Sequence, residues 1–221
     1  MKNLRVTEDL LKKIKGYENK KVYSSPFEYS PLGNLTESHE LKEKLKRTKI
    51  LNSLEEAIKT SGLKDGMTIS FHHHFRNGDK VLPMVLEKLA EMGFKNLRVA
   101  SSSLTAAHVC LVDHIKNGVV NRVESSGLRG KLATEISNGI LGDYPAVIRS
   151  HGGRARAIVS GDLEIDVAFL GVSSSDCMGN SNGVVGKSVC GSLGYAKVDA
   201  AYAKNVIVIT DTLVDYPNHP I

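Results

Sequence analysis

The chain has 221 residues, 41% of them hydrophobic and 24% charged, and a net charge of +5. This length can bury a sizeable core without disulfides, and no apolar stretch reaches the ~18 residues of a membrane span. The N-terminus is charged throughout and lacks the apolar segment of a secretory signal peptide. Three cysteines at unrelated spacings indicate neither a disulfide framework nor a cysteine-based zinc site, so we expect a cytoplasmic protein.

The excess positive charge lies in the first 49 residues, which carry 12 basic and 7 acidic side chains, whereas the remainder carries 17 of each. We therefore predict a basic N-terminal leader over 1–49 and one domain over 50–221. A basic leader can bind nucleic acid. The chain, however, has no tryptophan, few aromatic residues and no helix-turn-helix or zinc-finger spacing, which favours a solvated arm that wraps the body or docks a partner subunit.

Beyond residue 50, helical and strand patterns alternate. Ser53–Glu56 reads as a capping box that begins a helix. Further helices are predicted over 81–92, 105–115, 129–137 and 195–203, and strands over 67–71, 96–100, 119–124, 146–149, 165–171 and 205–210. The last two strands are mainly apolar, so we expect both to be buried. This order predicts an α/β fold with a mostly parallel sheet flanked by helices.

Polar residues follow five consecutive predicted strands. Ligands of open parallel sheets bind beyond the carboxyl ends of the strands. The need for turns explains the glycines at these ends, but it does not explain why histidine and arginine recur there. The predicted catalytic residues are His72, His74, Asn77 and Gly78, and the predicted substrate-binding residues are Arg76, Ser101, Ser102, Ser103, Gly127, Arg129, His151, Gly152, Gly153, Arg154, Asn180 and Asn182.

Two other chemistries fit poorly. Gly186-Lys187-Ser188 has the end of a phosphate-binding loop, but Ser181 stands where that motif needs its first glycine. The triplet at 72–74 is no metal site on its own, because His73 points opposite to His72 and His74 in an extended chain. We therefore predict no metal, and hydrogen-bonding or packing roles for these imidazoles.

The residue set suits an anionic substrate. Arg76, Arg129 and Arg154 can each pair a carboxylate bidentately. Two such contacts, at ~1.5–3 kcal/mol each, would supply the ~4 kcal/mol of millimolar binding. Backbone N–H groups at Asn77–Gly78 and Gly152–Gly153 are candidate donors to a developing oxyanion.

Four long motifs carry a resemblance to a known family. They are SLEEAI at 53–58 with SGLKDGMTISFHHHFR at 61–76, SSGLRG at 125–130, SHGGR at 150–154 and CGSLGYAKVD at 190–199. Residues 50–221 are similar through these motifs to the citrate lyase alpha-chain family.

The resemblance implies a CoA-transferase-like domain that exchanges acetyl for citryl on the thioester of an acyl carrier subunit, releasing acetate. It implies that the CoA-derived prosthetic group belongs to the carrier, with none bound covalently here, and that the transfer itself needs no metal. The implied partners are the beta (lyase) and gamma (acyl carrier) subunits in an oligomer, with no nucleic acid or membrane partner. Family chains continue into a second, similar domain, so we expect this sequence to be the N-terminal half.

One departure from the wider CoA-transferase pattern concerns the loop after the first strand. That loop carries histidines at 72–74 where related transferases have glycines, which suggests carboxylate contacts. Two alternatives remain open. One is another acetyl-CoA transferase or hydrolase on the same fold, and the other is a non-catalytic scaffold that holds carrier and lyase subunits through the basic leader.

Overall fold

The computed structural model describes residues 12–16, 49–72 and 74–218. The chain divides into two units, 1–46 and 47–221. Within the first unit, 12–16 form exposed turns, and the rest of the predicted leader up to residue 48 lies outside the described residues. The boundary predicted between 49 and 50 stays a prediction. In the described part of the chain, no helix is long and apolar enough to cross a membrane.

The second unit alternates strands and helices, as predicted. Its helices are α1 (Leu54–Thr60), α2 (Val81–Glu91), α3 (Leu111–Lys116), α4 (Gly130–Ser137), α5 (His151–Ser160) and α6 (Gly194–Tyr202), with 3-10 turns at Arg76–Gly78 and Ala106–His108. Its strands are β1 (Thr68–Phe71), β2 (Leu97–Ser101), β3 (Val120–Ser125), β4 (Val147–Ile148), β5 (Val167–Gly171), β6 (Ser174–Ser175), β7 (Ser181–Asn182) and β8 (Asn205–Ile209).

Six strands form one parallel sheet in the order β4-β3-β2-β1-β5-β8, which confirms the predicted fold class. The strands β6 and β7 form a separate antiparallel hairpin that was not predicted. From β1 the order runs through β2 and β3 to β4 on one side, and through β5 to β8 on the other. The sheet therefore has a switch point between β1 and β5.

Side chains alternate along the strands, so each face of the sheet carries its own apolar cluster and is covered by helices. On one face Phe71 and Phe169 stack with ring centres 5.5 Å apart, in a core that α2 completes with Leu82, Leu86 and other fully buried residues. On the other face Ala100, Ala168 and Leu170 pack against Ala157 of α5 and Ala196 of α6. Burying one such leucine or phenylalanine stabilises the fold by ~1.5–3 kcal/mol.

Three elements differ from the predictions. The segment 150–154, where no helix was predicted, begins helix α5, which Ser150 caps by accepting from the Gly153 N–H. The helix predicted over 105–115 is a 3-10 turn followed by α3. The strand predicted over 205–210 is β8, but it lies at the sheet edge and is partly exposed, so the expectation of a buried strand is wrong.

Candidate functional site

The sequence places two loops at the switch point. The first follows β1 and carries His72, His74 and the Arg76–Gly78 turn, and the second follows β5 and begins at Val172. At such a point the connections from neighbouring parallel strands run to opposite sides of the sheet, and open α/β sheets bind ligands beyond the strand ends there.

His74 joins these two loops directly. Its Nε2 lies 2.5 Å from the carbonyl oxygen of Gly171, at the end of β5. Since a carbonyl oxygen only accepts, Nε2 carries the hydrogen and donates. Burial lowers the pKa of His74; the Gly171 carbonyl opposes that shift, and the charge of His72 adds to it. The ring therefore stays neutral over a wider pH range than an exposed histidine does.

Gly171 allows the first loop to lie against the second. A Cβ at Gly171 would stand 2.6 Å from Cε2 of Phe75 and 2.8 Å from Cγ2 of Val81, far inside van der Waals contact. Only a residue without a side chain fits there without a shift of its neighbours. The aromatic ring of Phe75 thus fills the space that a larger residue at the end of β5 would take.

Beyond Phe75 the loop turns outward. Arg76, Asn77 and Gly78 are exposed, and Arg76 adopts φ 55, a left-handed conformation that is uncommon for a residue other than glycine. Within the part of the chain that the structure describes, no ion pair engages its guanidinium. The N–H of Gly78 donates to the Phe75 carbonyl at 3.1 Å, so this predicted oxyanion donor already has an internal partner.

Beneath the loop lies a buried charged cluster formed by His72, Arg154 and Asp199. The guanidinium of Arg154 is bidentate, with Nη1 2.8 Å from Oδ2 and Nη2 2.7 Å from Oδ1 of Asp199. Nη2 also donates to the carbonyl of Ala100 at 3.1 Å, and Nε2 of His72 lies 3.2 Å from Oδ2 of Asp199. Burial opposes ionisation of Asp199, but hydrogen bonds and charge from Arg154 and His72 outweigh it and hold its pKa well below the usual range.

This cluster changes the predicted role of Arg154. Its guanidinium does form a bidentate carboxylate pair, but the carboxylate is an internal side chain and Arg154 is 2% exposed. His72 is likewise interior, with a side chain 1% exposed. Asp199, which the sequence analysis did not single out, is the residue that organises both.

The serines after β2 are also interior. Ser101 and Ser102 are 1% exposed and Ser103 is 8% exposed. The Oγ of Ser101 donates to the carbonyls of Phe71 and Ser103, so it ties the end of β2 to the end of β1. Gly127 continues this edge, since its carbonyl accepts from the Leu104 N–H at 2.8 Å. Arg129, next along the edge, is exposed just before α4.

The start of α5 lies beside the start of α6. The rings of His151 and Tyr195 are 5.1 Å apart, and His151 and Gly152 are both exposed. The N–H of Gly153, by contrast, donates to Oγ of Ser150 at 3.0 Å as the helix cap. The predicted oxyanion donor at Gly153 is therefore already used within the chain.

Asn180 and Asn182 belong to a folded network at the β6–β7 hairpin. The carboxylate of Asp176 accepts from the backbone and side chain of Asn180 and from the N–H of Asn218. Asn182 donates to Asn218 and accepts from two backbone N–H groups. These amides shape the hairpin, which differs from the predicted role in substrate binding.

The hairpin also contains a motif that the predictions above do not include. Residues 179–183 have the Gly-x-Ser-x-Gly spacing of a nucleophile elbow, whose serine must lie on a sharp turn from a strand into a helix. Here Ser181 begins β7, and its Oγ donates to Oγ of Ser175 and to the carbonyl of Gly179. The geometry is that of a hairpin, so the spacing does not mark a nucleophile. Within the described ranges, no cluster of three or more His, Cys, Asp or Glu side chains could hold a metal ion.

Comparison with known proteins decides the family. The model of the family "Citrate lyase, alpha subunit" matches residues 47–221. The chain belongs to the citrate lyase alpha-subunit family. It is 60% identical over 184 residues to the citrate lyase alpha chain of Haemophilus influenzae and 61% identical over 175 residues to that of Klebsiella pneumoniae. These matches cover 83% and 79% of this chain but 37% and 34% of the relatives, so the chain spans about a third of their length.

Solved structures agree with this membership. The alpha subunit of citrate lyase from Streptococcus mutans, solved in complex with citrate, is 59% identical and superposes with a TM-score of 0.77 over 79% of this chain and 34% of that one. An acyl-CoA transferase from Escherichia coli O157:H7 shares the fold at 12% identity, with a TM-score of 0.57 over 80% of this chain and 45% of that chain. The resemblance carried by the four motifs is thereby confirmed.

Proposed function

We propose that this chain is the N-terminal part of a citrate lyase alpha subunit, which exchanges acetyl for citryl on the acyl carrier subunit and releases acetate. The observation that carries the proposal is the identity of about 60% to citrate lyase alpha chains, together with the likeness to a subunit solved in complex with citrate. The exposed turn at 76–78, which follows the switch-point strand β1, supplies a surface where an anionic substrate can bind.

The role proposed for each residue follows from the exposure of its side chain and from its hydrogen-bond partners. Arg76 is exposed in the turn after β1 and forms no ion pair within the described ranges, so its guanidinium can pair a carboxylate of citrate. Asn77 offers a polar side chain beside it. His74, held neutral by burial and oriented by Gly171, presents Nδ1 as a hydrogen-bond acceptor. Arg129 and His151 lie further along the carboxyl edge and are candidates for the remaining carboxylates.

The buried residues support these contacts indirectly. The cluster of His72, Arg154 and Asp199 joins the end of β1 to the first turn of α5 and to the second half of α6, near the exposed residues. Such a second layer orients contact residues without touching substrate. We therefore assign His72 and Arg154 to positioning and keep Arg76 as the first candidate for contact with citrate.

The partners follow from the same proposal. The acyl carrier (gamma) subunit supplies the acetyl thioester through its CoA-derived prosthetic group, and the beta subunit cleaves the citryl product. This chain contributes citrate binding and placement of one carboxylate for the exchange. The complex is an oligomer of these subunits.

The test uses the full-length alpha subunit that contains this sequence, with acetylated carrier and citrate. We expect acetate release and a carrier whose mass corresponds to a citryl group. Citrate should also protect the subunit against proteolysis within 72–78, whereas acetate alone should not. Absence of exchange by a folded full-length subunit would overturn the proposal. Incorporation of isotope-labelled acetate into the carrier with no citryl product would favour a simpler acetyl-CoA transferase, and release of acetate without citrate would favour a hydrolase.

A further inference from the structure

We propose that a buried pair formed by Asp79 and His108 positions the Arg76–Gly78 turn for citrate, an inference that rests on the proposed function. Oδ2 of Asp79 lies 2.9 Å from Nε2 of His108, and both side chains are 1% exposed. Asp79 directly follows the exposed turn, and His108 ends the 3-10 turn after β2. The pair therefore joins the loops that leave two neighbouring strands.

The protonation state of the pair follows from its other hydrogen bonds. Nδ1 of His108 accepts from the backbone N–H of Thr105 at 2.9 Å. A nitrogen that accepts carries no hydrogen, so the ring is the neutral tautomer with its hydrogen on Nε2. That hydrogen donates to Asp79. Both ring nitrogens are thus used. The bond from Thr105 to Nδ1 orients the ring, and Nε2 then holds the carboxylate of Asp79 in place.

Asp79 in turn holds the start of α2. Its Oδ1 accepts from the N–H of Val81 at 2.8 Å, and its own N–H donates to the Arg76 carbonyl. A carboxylate that accepts from both a histidine and a helix N-terminus has a single favoured orientation. The backbone between Arg76 and Val81 is consequently fixed with respect to the loop after β2.

The turn needs such an anchor because it is exposed and strained. Arg76 has φ 55, and conformations of this kind persist only where the surroundings impose them. On its N-terminal side the loop is held by His74 on Gly171 and by the Phe75 ring in the space above that glycine. On its C-terminal side the anchor is Asp79. The three exposed residues thus lie between two fixed points, which presents Arg76 in one place.

Two substitutions of the same residue separate positioning from packing. In His108→Gln the side-chain amide nitrogen can take the place of Nε2 and still donate to Asp79. In His108→Asn the side-chain oxygen can take the place of Nδ1 and accept from Thr105, but the chain is too short to reach Asp79. Both remove the aromatic ring and each keeps one of the two hydrogen bonds, so a larger loss in His108→Asn than in His108→Gln shows that the bond to Asp79 matters more than the bond to Thr105. The matched control for a lost carboxylate is Glu87→Gln. Glu87 is an exposed residue of α2 whose Oε2 lies 4.0 Å from Nε2 of His114.

The measurements use the full-length alpha subunit with its carrier. We expect His108→Asn and Asp79→Asn to lower kcat/KM for citrate about tenfold, and His108→Gln and Glu87→Gln to stay within about threefold of the parent. Amide exchange is the readout independent of activity, because the N–H groups of Gly78 and Asp79 are hydrogen-bonded within the turn. Their exchange should accelerate about tenfold in His108→Asn and Asp79→Asn, while the sheet amide of Leu97 keeps its rate.

The two proposals fail in different ways. If the parent subunit performs no exchange of acetyl for citryl, the proposed function fails, and amide exchange alone still decides whether the pair fixes the turn. If His108→Asn matches His108→Gln in both kcat/KM and exchange of Gly78 and Asp79, the positioning role is overturned. A fall in melting temperature with unchanged kcat/KM per folded molecule would equally overturn it, since that result describes a purely structural pair.

Discussion

Arg154 of α5 and Asp199 of α6 form an ion pair that is almost completely enclosed, with exposed fractions of 2% and 0% for the two side chains. Both oxygens of the carboxylate face the guanidinium, and Ala100 of β2 accepts a further hydrogen bond from it. The pair thereby links two helices to the sheet. Removal of one member would leave the other charged and buried, which costs far more than loss of the whole pair.

We predict that Arg154→Met lowers the free energy of unfolding by about 3–5 kcal/mol. The double variant Arg154→Met with Asp199→Leu should recover most of that loss, because no charge then remains buried. Arg156→Met, on the exposed side of the same helix, is the control and should stay within about 0.5 kcal/mol of the parent. Urea unfolding of the three variants measures these values. A loss below about 1 kcal/mol for Arg154→Met would contradict the assigned importance of the pair.

The second prediction concerns the pH dependence of stability. Burial lowers the pKa of His74, so the folded state binds a proton less readily than the unfolded state does. The contribution of His74 to stability is thus fully present above its unfolded pKa of about 6.5, and it is lost as the pH falls below that value. His74→Gln should therefore reduce the decline in unfolding free energy between pH 7 and pH 5.

His114 provides an additive check on that prediction. Its pKa is also lowered by burial, against the opposing charges of Glu87 and Asp113. The double variant of His74 and His114 to glutamine should flatten the pH dependence further than either single variant. Denaturant unfolding at several pH values tests both statements. An undiminished slope in His74→Gln would show that this ring is not the group that titrates.

The sheet was predictable because each strand carries a local signal. Short apolar runs end in glycine, serine or histidine, and their alternation with helical patterns predicts parallel strands. Helix α5 was missed because Gly152 and Gly153 have low helix propensity, whereas the Ser150 cap and the buried face with Ala157 and Ile158 decide the outcome. The position of β8 at the edge depends on strand order, which hydrophobic periodicity does not contain.

The exposed candidate residues could be predicted from the sequence, whereas the buried pairs beneath them could not. Arg76 and His74 were predicted as site residues because they follow a strand, and that role stays a prediction. Asp199 and Arg154 are 45 residues apart, and His108 and Asp79 are 29 apart, so no local spacing relates either pair. Only the folding of the sheet brings them together. Asp79 was not predicted either, although it stands just before α2 and its Oδ1 accepts from the Val81 N–H.

The third prediction concerns Gly171. In Gly171→Ala the new methyl group would meet Phe75 and Val81 at less than 3.0 Å, so the Phe75 ring must shift. We expect a loss of about 1–3 kcal/mol in unfolding free energy and weaker citrate binding, because the same loop carries Arg76. Gly194→Ala, at the exposed start of α6 where only Ser192 lies within 4 Å, should cost nothing measurable. Equal stability of the two variants would show that the space above Gly171 is not tightly filled.

The last prediction concerns the contact with substrate. Arg76→Ala should lower kcat/KM for citrate in the full-length subunit about 10- to 100-fold, since a charge-assisted contact contributes ~1.5–3 kcal/mol. The melting temperature should not change, because the side chain is exposed. Arg76→Lys should recover part of the loss, as a lysine keeps the charge without the bidentate geometry.

Arg156→Ala removes an exposed arginine from the outer part of α5 and should leave kcat/KM unchanged. The comparison also distinguishes charge attraction at a distance from direct contact. A loss shared equally by Arg76→Ala and Arg156→Ala, and abolished at high salt, would indicate general attraction of an anion. A loss confined to Arg76→Ala that persists at high salt supports a direct pair between its guanidinium and a carboxylate of citrate.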